Sequence, residues 1–191
     1  MKLNIFHSKV IKFILVLSLS GCANIPSHVI VAPEVITPLV ISHNSKQAQL
    51  EVVDMRTANH IVQIMREGEA ATLISSQEKL EKIIEHSLSK HWKKQGLVIN
   101  DSGTNAISIS IEKAVISVIQ KTIEYKVQTE IVLKVAINNG SQTLTSTFNN
   151  SGSSDGPLQA DIAVLERNFN QRLAKLLKQI LTNQEITDFL K

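Results

Sequence analysis

The chain has 191 residues, of which 20 are Lys or Arg and 17 are Asp or Glu, and its one cysteine is Cys22. A single thiol excludes an internal disulfide and a cysteine-based metal cluster, so the fold must rest on core packing. The formal charge of +3 belongs to the first 21 residues, which hold Lys2, Lys9 and Lys12 and no acid; the remainder carries 17 residues of each sign. A neutral domain without a basic stripe lacks the electrostatic footprint of a nucleic-acid binder, so no nucleic acid is expected as a partner.

The N-terminus reads as an export signal. A basic stretch through Lys12 overlaps an apolar run from Ile11 to Leu19, interrupted only by Lys12 and Ser18, and small residues follow. The apolar run is too short to cross a bilayer as a helix. Leu19-Ser20-Gly21-Cys22 resembles a bacterial lipobox. That resemblance implies lipid on the Cys22 thiol, cleavage before Cys22 and acylation of the new N-terminus; Ala23 in the next position implies sorting to the outer membrane of a Gram-negative cell. The expected organisation is a signal peptide over 1–21, a lipidated N-terminus and extended tether over 22–46, and a periplasmic domain over 47–191. The 170 or so residues left after cleavage suffice for one domain with a sizeable core.

Pro26, Pro33 and Pro38 interrupt helix in the tether, while Val29-Ile30-Val31, Val35-Ile36 and Leu39-Val40-Ile41 are apolar enough to pair or pack. The spacing predicts a partly ordered arm ending near His43-Asn44-Ser45. Gln47 to Val53 alternates as a half-buried strand, with Asp54 to Thr57 as its end or turn. Ile61 to Met65 predicts a second strand and Arg66 to Glu69 a turn. Ser75 with Glu78 has capping-box spacing, so a helix is expected from Ser75 or Ser76. Its apolar stripe is Leu80, Ile83, Ile84, Leu88 and Trp92, and Gly96 is its stop.

Leu97 to Ile99 predicts a short strand. Two long alternating runs follow, one through Ile107, Ile109 and Ile111 and one from Tyr125 to Ile137, then an Asn138-Asn139-Gly140 hairpin turn and a returning strand over Thr143 to Phe148. Asn149 to Gly156 reads as a loop, and Asp155-Gly156-Pro157 as the start of a long helix with the stripe Ile162 to Leu181. Asn183 caps a last turn through Ile186, Phe189 and Leu190. The expected fold is a single α+β domain, an antiparallel sheet with two amphipathic helices packed on one face.

Several segments occur in an order that resembles the YajG family of bacterial lipoproteins. They are Val53-Asp54-Met55-Arg56-Thr57, the helix from Leu80 to Gly96, Tyr125-Lys126-Val127, Ile137 to Gly140, Asn168-Phe169 and Glu185 to Leu190. The likeness covers nearly all of the mature chain and rests on order and spacing. It implies a small envelope lipoprotein with no assigned enzymatic activity.

Candidate chemistry is sparse. Asp54 and Arg56, at i and i+2 on an extended strand, form a same-face charged pair that fits either a ligand contact or an ion pair of structural use. His86 and His91 are five apart on a helix, not at metal-ligand spacing, so no metal site is expected. No serine-nucleophile elbow, P-loop or dinucleotide fingerprint is present. Trp92 belongs to the core stripe, and Tyr125 reads as core-facing. The Ser151 to Gly156 loop and the edge of a strand such as Ile107 to Ile111 or Thr143 to Phe148 are the candidate contact surfaces. The expectation is therefore a non-enzyme without cofactor beyond the covalent lipid on Cys22. It would be held at the membrane by that lipid and would bind an envelope protein or peptidoglycan. The alternative is an accessory subunit of an envelope assembly or transport machine, similar in element order to the lipopolysaccharide-assembly lipoprotein LptE.

Overall fold

The structure, a computed structural model, describes residues 27–37, 43 and 45–191. The lipobox, Cys22, Pro26, Pro38 and Leu39-Val40-Ile41 lie outside these residues. The strands are β1 (His28–Val29), β2 (Gln47–Asp54), β3 (His60–Arg66), β4 (Thr72–Ser76), β5 (Val98–Ile99), β6 (Asn105–Gln120), β7 (Glu124–Asn138) and β8 (Thr143–Pro157). The helices are α1 (Leu80–Lys94), α2 (Ile162–Leu181) and α3 (Gln184–Phe189).

Strand β6 is the spine. Along one edge it pairs antiparallel with β7 over its whole length, and β7 pairs in turn with β8. Its other edge is shared. The first half pairs parallel with β2, and the second half pairs parallel with β3. Strand β5 adds to β2 at one end, while β4 and β1 extend the sheet beyond β3 at the other.

The buried apolar positions of β6 are Ile107, Ile109 and Ile111, then Ala114, Ile116 and Val118. The change from odd to even numbers falls at a one-residue register shift between Ile111 and Lys113, whereas β7 keeps Val127 to Ile137 in phase throughout. One extra residue on β6 thus preserves the buried face and bends the strand.

These pairings correct the expected architecture. The sheet is mixed and curled, and among the described residues there are three helices rather than two packed on one face. Alternation reports which side chains are buried but not the direction of the neighbouring strand, and β2 reaches β6 only through a crossover containing α1. Helix α1 packs on β2 and β5 through Leu80, Ile84, Leu88 and Trp92; α2 lies along β8 and β7 through Leu165, Phe169, Leu173 and Leu176.

Three boundaries also move. Ser75 and Ser76 remain in β4, and α1 starts after Lys79, which makes no side-chain cap, so the Ser75–Glu78 spacing is not used as a capping box. The Asn149 to Gly156 segment is the second half of β8, in unbroken register with β7. Pro157 ends that strand instead of opening a helix; α2 is capped by Asp161, whose carboxylate accepts from Ala163 N at 2.8 Å. Gly156 tolerates the strand because Tyr125 lies opposite and fills the space a side chain would occupy. Gly96, at φ +89°, ends α1, and Asn183 caps α3 through Ile186 N.

The arm is part of the core. Val29 and Val31 are buried, and β1 pairs with β4. Beyond β1, Ile30 N donates to Glu166 Oε2 at 2.7 Å and Ala32 N to Asn170 Oδ1 at 2.9 Å, while Asn170 Nδ2 returns a bond to Ile30 O. Glu166 and Asn170, one turn apart on α2, thus satisfy a backbone that has no strand partner there. His91 of α1 stands between two carbonyls, its Nδ1 2.8 Å from Ser87 O and its Nε2 3.0 Å from Val35 O.

His43 is buried beside the Gln95 side chain, whose amide favours the charged ring, and among the described residues neither ring nitrogen makes a hydrogen bond of good geometry. Burial, with the positive charge of Lys191 behind it, holds the imidazole below its ordinary pKa of 6.5. The unfolded chain therefore binds a proton at a pH where the native state resists it, and stability falls as the pH drops below about 6.5. Replacing His43 by Leu is expected to flatten the loss of stability between about pH 7 and 5 in urea titrations, because the proton-binding difference is gone. An unchanged slope would place the acid sensitivity elsewhere.

Candidate functional site

The most site-like pair in the sequence, Asp54 and Arg56, occupies the fork of the sheet. Strand β2 leaves β6 after Asp54 and β3 rejoins it at Val62, opposite Ile111 and Ile116 respectively. The intervening loop has more residues than the stretch of β6 it faces, so the ladder opens. Arg56 fills the opening. Its Nη1 donates to Ala114 O at 2.9 Å and to His60 O at 3.1 Å; its Nε and Nη2 donate to the two oxygens of Asp54 at 2.9 and 2.7 Å.

The two side chains are only 7 % and 14 % exposed, Arg56 and Asp54 respectively. Burial alone would raise the Asp54 carboxyl pKa. The hydrogen bonds and charge of Arg56 outweigh burial and hold it below the ordinary carboxylate value. Bidentate geometry at this degree of burial makes the pair a stitch between β2, β3 and β6, distinct from the exposed ion pairs Lys82–Glu85 and Lys121–Glu124. A shallow depression of about 420 Å³ adjoins it, lined by Asn59 and by the segment from Ser75 to Glu81 that enters α1.

A larger groove of about 640 Å³ runs between the arm and α1. Val31, Pro33 and Val35 form one wall and Ile83, His86 and Lys90 the other. Its lining mixes cations with Glu34 and Glu78; Ser87 lies there beside His86 and His91, but His91 Nδ1 meets the Ser87 backbone carbonyl and among the described residues no hydrogen bond joins the Ser87 hydroxyl to either ring. His28, His60 and His86 lie apart, and among the described residues no cluster of His, Cys, Asp and Glu is arranged to hold a metal ion. Trp92 is buried in the core; Tyr125 is half-buried over Gly156.

The Ser151 to Gly156 segment, expected as a loop, is the end of an outer strand. Among the described residues β8 pairs only with β7, and the register runs from Thr143 to Pro157 without a bulge. Its middle is covered from α2. Arg172 Nη1 donates to Ser151 O at 2.9 Å and to Asn150 Oδ1 at 3.0 Å, and the guanidinium lies where a side chain at residue 152 would be. Gly152 is required for that approach. A charge placed on a long edge strand is a known protection against unwanted strand pairing. Residues Glu166, Asn170 and Arg172 escaped the sequence reading, which considers His91 only as a metal ligand and not as a partner of the arm. The i, i+4 spacing of Glu166 and Asn170 on one helix was the available signal, but their partner is backbone and leaves no pattern.

Comparison with known proteins fits this geometry. A family model described as an uncharacterised lipoprotein matches residues 33–191, and the chain belongs to that family. The YajG-like resemblance is therefore sound, and nothing in the family indicates a catalytic function. No protein of curated function matches in sequence. In structure the chain is similar to XCC0632 from Xanthomonas campestris, a DUF330 protein, with a TM-score of 0.56 and 13 % identity over 84 % of this chain and 96 % of that one. It is also similar to a putative neuraminyllactose-binding hemagglutinin homolog from Helicobacter pylori, with a TM-score of 0.51 and 6 % identity over 85 % and 96 %. At such identities the likeness is one of fold. Among the described residues no helix is long and apolar enough to cross a membrane.

Arg56→Ala is expected to cost about 3 kcal/mol in urea unfolding, since it leaves a buried carboxylate and two carbonyls without their donor. Asp54 adds an acid-side term. Its lowered native pKa contributes stability above the unfolded value of 3.8, which is lost as the pH falls through the native one. Asp54→Asn should remove that term, and a variant pair as stable as the parent would refute the stitch.

Proposed function

We propose that the chain is a non-catalytic lipoprotein held by acyl groups on Cys22 at the periplasmic face of the outer membrane. Its folded domain binds another envelope component, a protein or the peptidoglycan. The observation that carries the reading is the lipobox Leu19-Ser20-Gly21-Cys22 in a chain whose residues 33–191 match a lipoprotein family. Support comes from the described site geometry, where the strongest charged constellation is engaged with backbone carbonyls and with its own partner rather than presented to a substrate.

A second reading, an accessory subunit of an envelope assembly or transport machine, is favoured by β8. A strand of 15 residues with one side unpaired among the described residues offers backbone groups that an added strand can use, once Arg172 swings away. Partner capture decides between the two. Crosslinking of the lipidated protein in living cells should recover a defined partner that is lost with Cys22→Ala, and that variant should remain folded but leave the outer membrane fraction. A multicomponent machine among the captured proteins would favour the second reading. A Cys22→Ala protein still held wholly in the outer membrane would sink the anchor.

A further inference from the structure

His91 makes the contact that fastens the downstream half of the arm. Its Nδ1 lies 2.8 Å from Ser87 O, one turn back in α1, and its Nε2 lies 3.0 Å from Val35 O of the arm. Both neighbours are carbonyl oxygens, which only accept. A neutral imidazole has one N–H and one bare nitrogen, so it can serve one of them and turns a lone pair towards the other. An imidazolium has two N–H groups and serves both. The position is built for the charged ring.

Little else holds this stretch. Upstream, the arm is fixed by the pairing of β1 with β4 and by Glu166 and Asn170, which accept from the amides of Ile30 and Ala32. Downstream, His43 N donates to Gln95 O at 3.3 Å and Ser45 N to Gly96 O at 2.9 Å. Between these points, among the described residues, the bond from His91 to Val35 O is the one hydrogen bond that reaches residues 33–37. Pro33 has no N–H to offer, and Ile36 is 78 % exposed.

We propose that His91 is a proton-operated latch on the arm: the doubly protonated ring ties Val35 O to α1, and loss of one proton lets residues 33–37 leave the helix. The closed arm binds one proton more than the open arm, so acid favours closure and rising pH favours release. Release widens the groove between the arm and α1 and uncovers Val35 and Ile83, which line it.

The charged and titratable groups that share this groove are Glu34 on the arm, His86, Lys90 and Lys94 on α1, and Glu78 just before α1. Strands β2 and β5 and helix α2 add nothing to its lining. Glu34 attracts an imidazolium and the two lysines repel it, so the closed form depends on the two carbonyl contacts. His43, at the next fixed point of the arm, resists a proton because it is buried. The two histidines therefore answer acid in opposite senses, and each has to be read by itself.

Nitrogen-resolved NMR of the histidine rings in the full chain does so. Spectra are followed upward from about pH 6, inside the range where histidine changes charge, until the His91 ring loses a proton. In parallel, spin labels at Ile36→Cys on the arm and Lys93→Cys on α1, in a Cys22→Ala chain, report the distance across the latch. The expected result is two protonated nitrogens on His91 at the start, with a short and narrow label distance. That distance lengthens and broadens as the proton leaves. In His91→Gln, which keeps a neutral donor and cannot titrate, the distance should not respond to pH. A His91 ring with one bare nitrogen already at about pH 6 overturns the latch. So does a label distance that stays fixed while the ring loses its proton. A distance that responds equally in His91→Gln also overturns it and assigns the motion to another group.

Discussion

A long central strand needs partners on both edges, and β6 lacks a backbone partner at one place. Between Asp54 and Val62 the chain that should continue the ladder bulges away, and Ala114 O would face an empty fork. The Arg56 guanidinium closes it by donating to the carbonyls of Ala114 and His60 while held in a two-point contact by Asp54. A cation is suited to this because its several N–H groups diverge in a plane and can serve separate acceptors at once. The carboxylate neutralises the charge that the position buries. The same level of the sheet contains the extra residue on β6, so the bend of the spine and the fork on its edge coincide. On one side of that junction lie β5 and α1, and on the other β4 and β1.

The arm follows the same logic of unpaired backbone. After two residues of sheet pairing it turns to the helices, and the side chains of Glu166, Asn170 and His91 take the place of a neighbouring strand. Val29 and Val31 bury their side chains between the elements. The described arm, residues 27–37, is thereby fixed to α1 and α2 as well as to the sheet.

Strand β8, paired on one side only among the described residues, shows how the fold covers such an edge. The strand is polar, rich in Ser, Thr and Asn, and carries a lone acid, Asp155. Protection comes from another element, through Arg172 laid over Gly152. The same arrangement gives a partner strand a defined obstacle to displace. The chain belongs to a family of uncharacterised lipoproteins and shares its fold with XCC0632.

Local pattern alone determined a good part of this protein. The apolar stripes of α1 and α2, the strands β2, β3 and β7, the Asn-Asn-Gly turn and the Asn183 cap all follow from spacing along the chain, because each depends on neighbours within a few residues. Where short-range signals competed, they misled: Ser75–Glu78 and Asp155-Gly156-Pro157 resemble helix starts but lie in strands whose ladders outweigh a cap. The Gly/Ser-rich run became a strand because β7 and Tyr125 supply pairing and cover that its own residues lack. Tertiary structure decided the parallel pairing of β2 and β3 with β6, the burial of Asp54 and Arg56, and the meeting of His91 with Val35 O. Each of these joins residues far apart in sequence through backbone groups, and every residue carries the same backbone, so no side-chain pattern records the choice.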